Sequence, residues 1–299
     1  MTWSGVWPAL TTPFDPSLEV DLPFLERHVR WLLDSGCAGV VVLGSLGEAP
    51  ALTAEEKMRI VESAVRTAGR MPVLVGISAY STADAARLAR AAEEWGASGL
   101  MVLPPYVYHG DAREVRAHFS QVFRATRLPC MLYNNPIAYG TDVVPDDVEA
   151  LARDNPNLVA VKESSGDVRR ITDLGFRLGS HVARFVGIDD QILEGMAAGA
   201  SGWVAGLANA LPRESVELFE ASRAGRQVDA LARYRWFLPL LRLDANPKFV
   251  QLIKLVQQEV GMGSSRVRPP RLELHAEELD RTRRLIQATL SNRPNASSS

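Results

Sequence analysis

Lysine is what this chain has least of among its charged residues: of 33 basic residues in 299, only Lys57, Lys162, Lys248 and Lys254 are lysines. Arginine cannot shed its proton to become a nucleophile, whereas a desolvated lysine can, so each retained lysine raises the question of amine chemistry. Cysteine is scarcer still. Cys37 and Cys130 stand far apart in apolar surroundings, which excludes a disulfide framework, offers no metal-ligand spacing and predicts two buried structural thiols. A one-sided charge is also missing: the net charge is −2 at pH 7 and no run of like charges occurs, so there is no basic face for nucleic acid. Nor does any stretch approach the roughly 20 apolar residues that cross a bilayer. Met1-Thr2-Trp3-Ser4-Gly5 lacks the basic and then apolar order of a secretory leader, and the expectation is a cytoplasmic protein with no membrane partner.

What the sequence does contain is alternation. Eight short runs rich in Val, Ile and Leu, at residues 5–10, 39–43, 73–77, 99–103, 130–133, 158–162, 184–186 and 202–205, are separated by amphipathic segments of helical character. Those segments are residues 22–34, 54–68, 83–95, 113–126, 146–153, 167–178 and 190–198, and residues 212–224 read as the last barrel helix after the eighth run. Thr53 with Glu56 has capping-box spacing, and Pro145 leads Asp146-Asp147 into a helix. Eight such units predict an α/β fold, a TIM (β/α)8 barrel over residues 1–225. Helical segments at 228–243, 247–260 and 277–290 make a C-terminal helical extension over residues 226–290. The polar residues 291–299 cannot bury apolar surface and are expected to be a disordered tail.

A TIM barrel carries its chemistry at the carboxyl ends of its strands. Lys162 closes the run Leu158-Val159-Ala160-Val161, where an amine desolvated by the strand can attack a carbonyl; a lysine snorkelling from a strand end is the competing reading. Tyr133 ends the adjacent run and is followed by Asn134-Asn135-Pro136, so its phenol can enter the mouth and move protons on a carbinolamine. Standing alone, it would read as a core tyrosine. Gly44-Ser45-Leu46-Gly47-Glu48 follows the second run, and its glycines permit a tight turn aiming N–H groups and the Ser45 hydroxyl at a carboxylate; an ordinary βα turn would use the same residues.

These segments, with Pro8-Ala9-Leu10-Thr11-Thr12-Pro13-Phe14, Val161-Lys162-Glu163-Ser164 and Gly187-Ile188-Asp189-Asp190, resemble the dihydrodipicolinate synthase and N-acetylneuraminate lyase superfamily of class I Schiff-base lyases over nearly the whole chain. The resemblance implies that Lys162 forms the Schiff base with a 2-oxo acid or cyclic imine and that Tyr133 transfers protons. It further implies that Ser45, Leu46, Gly47 and Val204 bind substrate, that no cofactor or metal is needed, and that the chain forms a homotetramer built as a dimer of dimers.

Three departures bear on substrate. The synthases of this superfamily usually place a carboxylate-binding arginine in the loop after the tyrosine, where this chain has Ile137-Ala138-Tyr139-Gly140. They also carry paired tyrosines after the fourth strand, where this chain reads Pro105-Tyr106-Val107-Tyr108. Val107 cannot relay a proton, which leaves Tyr106 and Tyr108 as candidates for relay or pocket. Leu46 stands in place of a hydroxyl residue. The stretches 203–212 (from Trp203 to Pro212), 244–254 (from Asp244 to Lys254) and 266–272 (from Arg266 to Leu272) resemble members that deaminate 1-pyrroline-4-hydroxy-2-carboxylate in hydroxyproline breakdown, giving 2,5-dioxopentanoate and ammonia. The alternatives are a 2-keto-3-deoxy sugar acid aldolase or dehydratase, N-acetylneuraminate lyase, dihydrodipicolinate (4-hydroxy-tetrahydrodipicolinate) synthase, or a non-catalytic 2-oxo acid binding protein. Lys248 and Lys254 are expected to be solvated or packing residues on a C-terminal helix, and Lys57 to face solvent.

Overall fold

The computed structural model describes residues 1–105 and 107–294. Eight parallel strands form one sheet: β1 (Gly5–Pro8), β2 (Val40–Val42), β3 (Val73–Ile77), β4 (Gly99–Val102), β5 (Cys130–Asn134), β6 (Leu158–Glu163), β7 (Ala183–Val186) and β8 (Gly202–Ala205). They run in the order β1-β8-β7-β6-β5-β4-β3-β2, and a bridge between Ala9 and Val41 joins the two ends. The result is a TIM barrel. Every residue of β2, β3, β4, β5 and β8 is buried, because helices cover one face of the sheet and the barrel interior the other.

Local signals set the helix starts. The Asp21 carboxylate accepts the Phe24 N–H at 2.9 Å to open the helix Leu22–Asp34, and the reciprocal Thr53–Glu56 bonds open Ala54–Ala68. Pro145 is the first residue of Pro145–Asp154. Two of the departures from the expected bounds have a visible local cause. Asp167 uses its carboxylate to hold the Arg169 N–H, so that helix begins at Arg169 and ends at Leu178. The segment expected as one helix from residue 190 divides into a 3-10 turn, Asp189–Gln191, and a short helix, Ile192–Ala197, because the Asp189 side chain is turned inward to the end of β8.

Trp7, Trp203 and Phe185 are fully buried, with Trp3 stacked on Trp7 at 6.0 Å and Phe185 edge-on to both Trp3 and Trp7 at 6.3 Å. Trp3, Trp7 and Phe185 pack together near the start of β1, whereas the Trp203 indole N–H reaches the Asp189 carboxylate at 2.9 Å after β7. After Pro212–Arg223, the helices Gln227–Leu241, Phe249–Glu259 and Ala276–Ser291 complete the chain, and the Trp236 indole N–H donates to the Thr289 carbonyl at 2.8 Å. The last helix includes Ser291, the first residue of the segment expected to be unstructured; residues 295–299 of that segment lie outside the described residues.

Candidate active site

The position of Lys162 beside Tyr133 depends on one irregularity. Cys130 pairs with Leu158 but Met131 pairs with Ala160, so β6 has one extra residue, Val159, at that point. From there on, Tyr133 lies opposite Lys162 and Asn134 opposite Glu163; without the shift, Tyr133 would face Val161. Lys162 Nζ sits 4.0 Å from the centroid of the Tyr133 ring, with Lys162 6% and Tyr133 5% exposed. Burial pulls the Lys162 amine down to about 8, against the opposing charges of Asp244 and Asp189, so a fraction of it is neutral near pH 7. Burial pushes the Tyr133 phenol up to about 12, keeping it protonated and able to donate, although its oxygen accepts the Asn135 amide at 2.9 Å.

Hydrogen bonds brace these strand ends from behind. Asn134 Nδ2 donates to Glu163 Oε2 at 3.2 Å and to Asp142 Oδ1 at 3.1 Å, while Arg170 grips both Asp142 oxygens at 2.6 and 2.8 Å. The Glu163 carboxylate also receives the Ser165 N–H at 2.6 Å. Behind Lys162, β7 runs into Gly187, where a Cβ would fall 2.8 Å from Lys162 Cε and 2.0 Å from Ser164 Oγ. Only glycine lets the lysine stem lie flat there.

The loop of residues 44–48 enters the site from β2. Leu43, just before it, and Glu48, its last residue, have positive φ of 58° and 54°, and the Thr12 hydroxyl donates to the Gly47 carbonyl at 2.7 Å. Leu46 and Gly47 are buried and Ser45 half-buried. The Ser45 hydroxyl lies beside the Tyr133 phenol, drawing its pKa down, and makes a short hydrogen bond with the Tyr139 phenol. Tyr139 ends the short helix Pro136–Tyr139 and stands edge-on to Tyr133 at 5.9 Å. It belongs to the site although reading the sequence passed over it. The signal was its place three residues after Pro136, in the same loop whose missing arginine at Ala138 drew attention.

Glu48, fully buried, anchors that loop. Lys254 Nζ reaches Glu48 Oε1 at 2.5 Å and the Arg266 carbonyl at 2.7 Å, and the Arg268 N–H donates to Glu48 Oε2 at 3.0 Å. Lys254 is thus no solvated residue: its side chain is 2% exposed and its ammonium lies 4.4 Å from the Phe14 ring centroid. Lys248 pairs on the surface with Glu278, and Lys57 is half-buried along its helix. Val204 is buried in β8, in register with Trp7.

Two acids that the sequence reading left without a role stand at the mouth, Asp189 fully buried and Asp244 half-buried. Asp189 accepts Trp203 Nε1 at 2.9 Å and the N–H groups of Gly206 and Leu207 at 3.0 and 2.7 Å, which fixes the end of β7 to the end of β8. Asp244 enters from the turn between the helices Gln227–Leu241 and Phe249–Glu259. Both raise the Lys162 pKa by their charge.

Tyr108 is not brought to Lys162 within the chain: it is 62% exposed and its phenol donates to Glu114 Oε2 at 3.1 Å. The reason is local, since Asp111 and Glu114 form the capping box of the helix Ala112–Arg124 and hold the tyrosine over it. Tyr106 lies outside the described residues, and Val107 is 66% exposed. Cys37 and Cys130 are buried, and burial raises both thiols, Cys37 to about 12. Among the described residues no cluster of three or more His, Cys, Asp or Glu could hold a metal, and no helix is long and apolar enough to cross a membrane.

Residues 2–289 match the model of the dihydrodipicolinate synthetase family. The 4-hydroxy-tetrahydrodipicolinate synthase of Methanoculleus marisnigri is 33% identical over 291 residues, covering 95% of this chain and 98% of that protein. The synthase of the same name from Staphylococcus haemolyticus is 32% identical, covering 91% and 92%. Among solved structures, dihydrodipicolinate synthase from Aquifex aeolicus superposes with a TM-score of 0.91 at 31% identity, covering 96% of this chain and 98% of that one. A prophage protein of the dihydrodipicolinic acid synthase family from E. coli K12, in complex with pyruvate, gives 0.90 at 27% identity, covering 97% and 99%.

Proposed function

The chain belongs to the dihydrodipicolinate synthetase family and is an enzyme of it, a class I lyase, and from that premise we propose that Lys162 forms its Schiff base with a 2-oxo acid or cyclic imino acid. The observation that carries this is a single amine, buried at a strand end, partly neutral near pH 7 and against a protonated phenol. Neutral Lys162 attacks C2, Tyr133 passes a proton to the carbinolamine oxygen, and water leaves to give an iminium. The iminium takes up the electrons released when a proton or carbon substituent departs from C3. The Ser45 hydroxyl, with the Leu46 and Gly47 N–H groups, holds the carboxylate, and Val204 walls the substrate.

For the substrate we infer 1-pyrroline-4-hydroxy-2-carboxylate: ring opening, loss of the 4-hydroxyl as water and hydrolysis yield 2,5-dioxopentanoate and ammonia. Ala138 supports it, because it supplies no receptor for a second carboxylate, and Val107 and Leu46 support it by standing where the synthases carry a relay tyrosine and a loop hydroxyl. The names of the relatives favour a second reading, condensation of pyruvate with aspartate semialdehyde. With either goes the proposal that the chain works in the cytoplasm as a homotetramer. The first test is borohydride reduction in the presence of pyruvate followed by peptide mass spectrometry. An adduct at Lys162 is expected, and its absence with every 2-oxo acid tried overturns the reading. Turnover of the pyrroline without turnover of the pyruvate and semialdehyde pair separates the two substrates.

A further inference from the structure

Asn135 is the single residue between the end of β5 at Asn134 and the helix that Pro136 opens, and its side chain holds a partner at each end. It lies two residues after Tyr133 and turns to the same side, whereas Asn134 between them turns to Glu163 and Asp142. Asn135 Oδ1 accepts the Ala138 N–H at 3.0 Å and so caps the helix Pro136–Tyr139. Its Nδ2 donates to the Tyr133 phenol oxygen at 2.9 Å.

The first of these bonds decides the second. A carboxamide has an oxygen that only accepts and a nitrogen that only donates, and a backbone N–H can bond only with the oxygen. With the oxygen committed to Ala138, the nitrogen faces Tyr133, and a phenol oxygen beside an N–H donor receives rather than gives. The one hydrogen of that phenol is left for the mouth, where Lys162 Nζ stands 4.0 Å from the centroid of the same ring. Tyr139, the last residue of the capped helix, stands edge-on to Tyr133 at 5.9 Å and is bonded to the Ser45 hydroxyl, so the cap also sets the ring that packs on the phenol. Burial raises the phenol to about 12, and among the groups that pull it back Asn135 does most.

We propose that Asn135 is the positioning residue of Tyr133: its amide holds the phenol oxygen so that the phenol's own hydrogen faces the substrate, and it steadies the phenolate that remains once that hydrogen is given up. This rests on the Schiff-base reading given above. As neutral Nζ bonds to C2, one of its hydrogens moves to the former carbonyl oxygen and gives the carbinolamine. Tyr133 supplies the second proton to that oxygen, the C2–O bond breaks, water leaves, and the nitrogen lone pair closes the iminium. The phenolate, held by the Asn135 N–H, then takes a proton from C3 as the enamine forms and is a phenol again, so no other reactant is consumed.

The test uses the full chain and pyruvate in deuterium oxide, with the loss of C3 hydrogens followed by proton NMR, because each exchange needs both the Schiff base and the Tyr133 proton. Asn135→Asp keeps the size and the cap but presents Tyr133 with an acceptor, which draws the phenolic hydrogen away from the substrate. At pH 8 its kcat for exchange is expected to fall about a hundredfold, with KM within about threefold of the parent's. Toward pH 5 the introduced carboxyl gains a proton and can donate again, so its rate relative to the parent climbs about tenfold, which a merely structural role would not produce. Asn135→Ser keeps a capping oxygen and withdraws the donor, and loses about tenfold at every pH. Thermal melting checks that each variant is folded, and either one decides if the other is not. Asn135→Asp with the parent's kcat, or with a loss that is the same at pH 5 and pH 8, overturns the proposal, and so does Asn135→Ser with the parent's kcat. An unaltered chain that shows no exchange with pyruvate or any other 2-oxo acid tried overturns the Schiff-base reading instead.

Discussion

Lys254 Nζ and Glu48 Oε1 lie 2.5 Å apart and 206 residues apart in sequence, and neither side chain is more than 2% exposed. An ion pair so enclosed gains little over an apolar pair of the same shape, but losing one partner strands the other's charge. Lys254→Met is therefore expected to lower the free energy of unfolding by about 3–5 kcal/mol, and adding Glu48→Gln to recover a good part of that loss. Urea unfolding measures both. A Lys254→Met chain as stable as the parent would show that the pair does not anchor the loop of residues 44–48.

Tyr133→Phe keeps the ring against Lys162 and removes the phenolic proton. A kcat lower by about 10²–10³-fold is expected, with pyruvate affinity nearly unchanged, since the proposal places the carboxylate on Ser45, Leu46 and Gly47. A large rise in KM with kcat preserved would place the hydroxyl in binding.

Gly187→Ala and Gly206→Ala test the two glycines that follow β7 and β8. The first sets a methyl 2.8 Å from Lys162 Cε and the second 2.1 Å from Asp244 Oδ1, so each must push a side chain of the mouth aside. Each should cost about 1–3 kcal/mol of stability and more than tenfold in kcat. Calorimetry alongside kinetics distinguishes that from general unfolding, which would remove active molecules and leave kcat per folded molecule intact.

Arg268 binds both Glu56 oxygens, at 2.6 and 2.9 Å, and the pair holds the Glu56 carboxyl down at about 2. A carboxyl with its folded pKa below its unfolded value stabilises the fold above the unfolded value, near 4.5, and that contribution is lost as pH falls toward about 2. Relative to the parent, Glu56→Gln should lose about 1–2 kcal/mol at pH 7, allowing for partial solvation, and nothing near pH 2. Melting temperatures of both chains from pH 2 to 7 give the comparison; a gap that widens in acid would reverse the assignment.

The barrel was legible because eight apolar runs and their capped helices are local features, and strand ends identify the rim without any knowledge of pairing. Lys162 and Tyr133 could be placed on neighbouring strands for that reason, although the extra residue at Val159 that sets them opposite each other could not be seen. Asp244 and Lys254 were hidden by distance. Their partners lie far away in the chain, and an acid in a turn or a lysine on an amphipathic helix looks the same in sequence whether it faces water or a buried opposite charge. Tyr108 misled for the opposite reason: its proximity to a strand end suggested the mouth, and a local cap at Asp111 and Glu114 holds it outside.

Asp244, Lys254 and Arg268 all follow the eighth strand by at least 39 residues. During synthesis, a chain released as far as Ala205 contains every strand of the sheet, yet lacks Lys254 and Arg268, the partners that the Glu48 carboxylate meets inside the fold. Until the C-terminal helices are made, burying Glu48 would strand its charge, so the loop of residues 44–48 gains its brace only when the polypeptide is nearly finished.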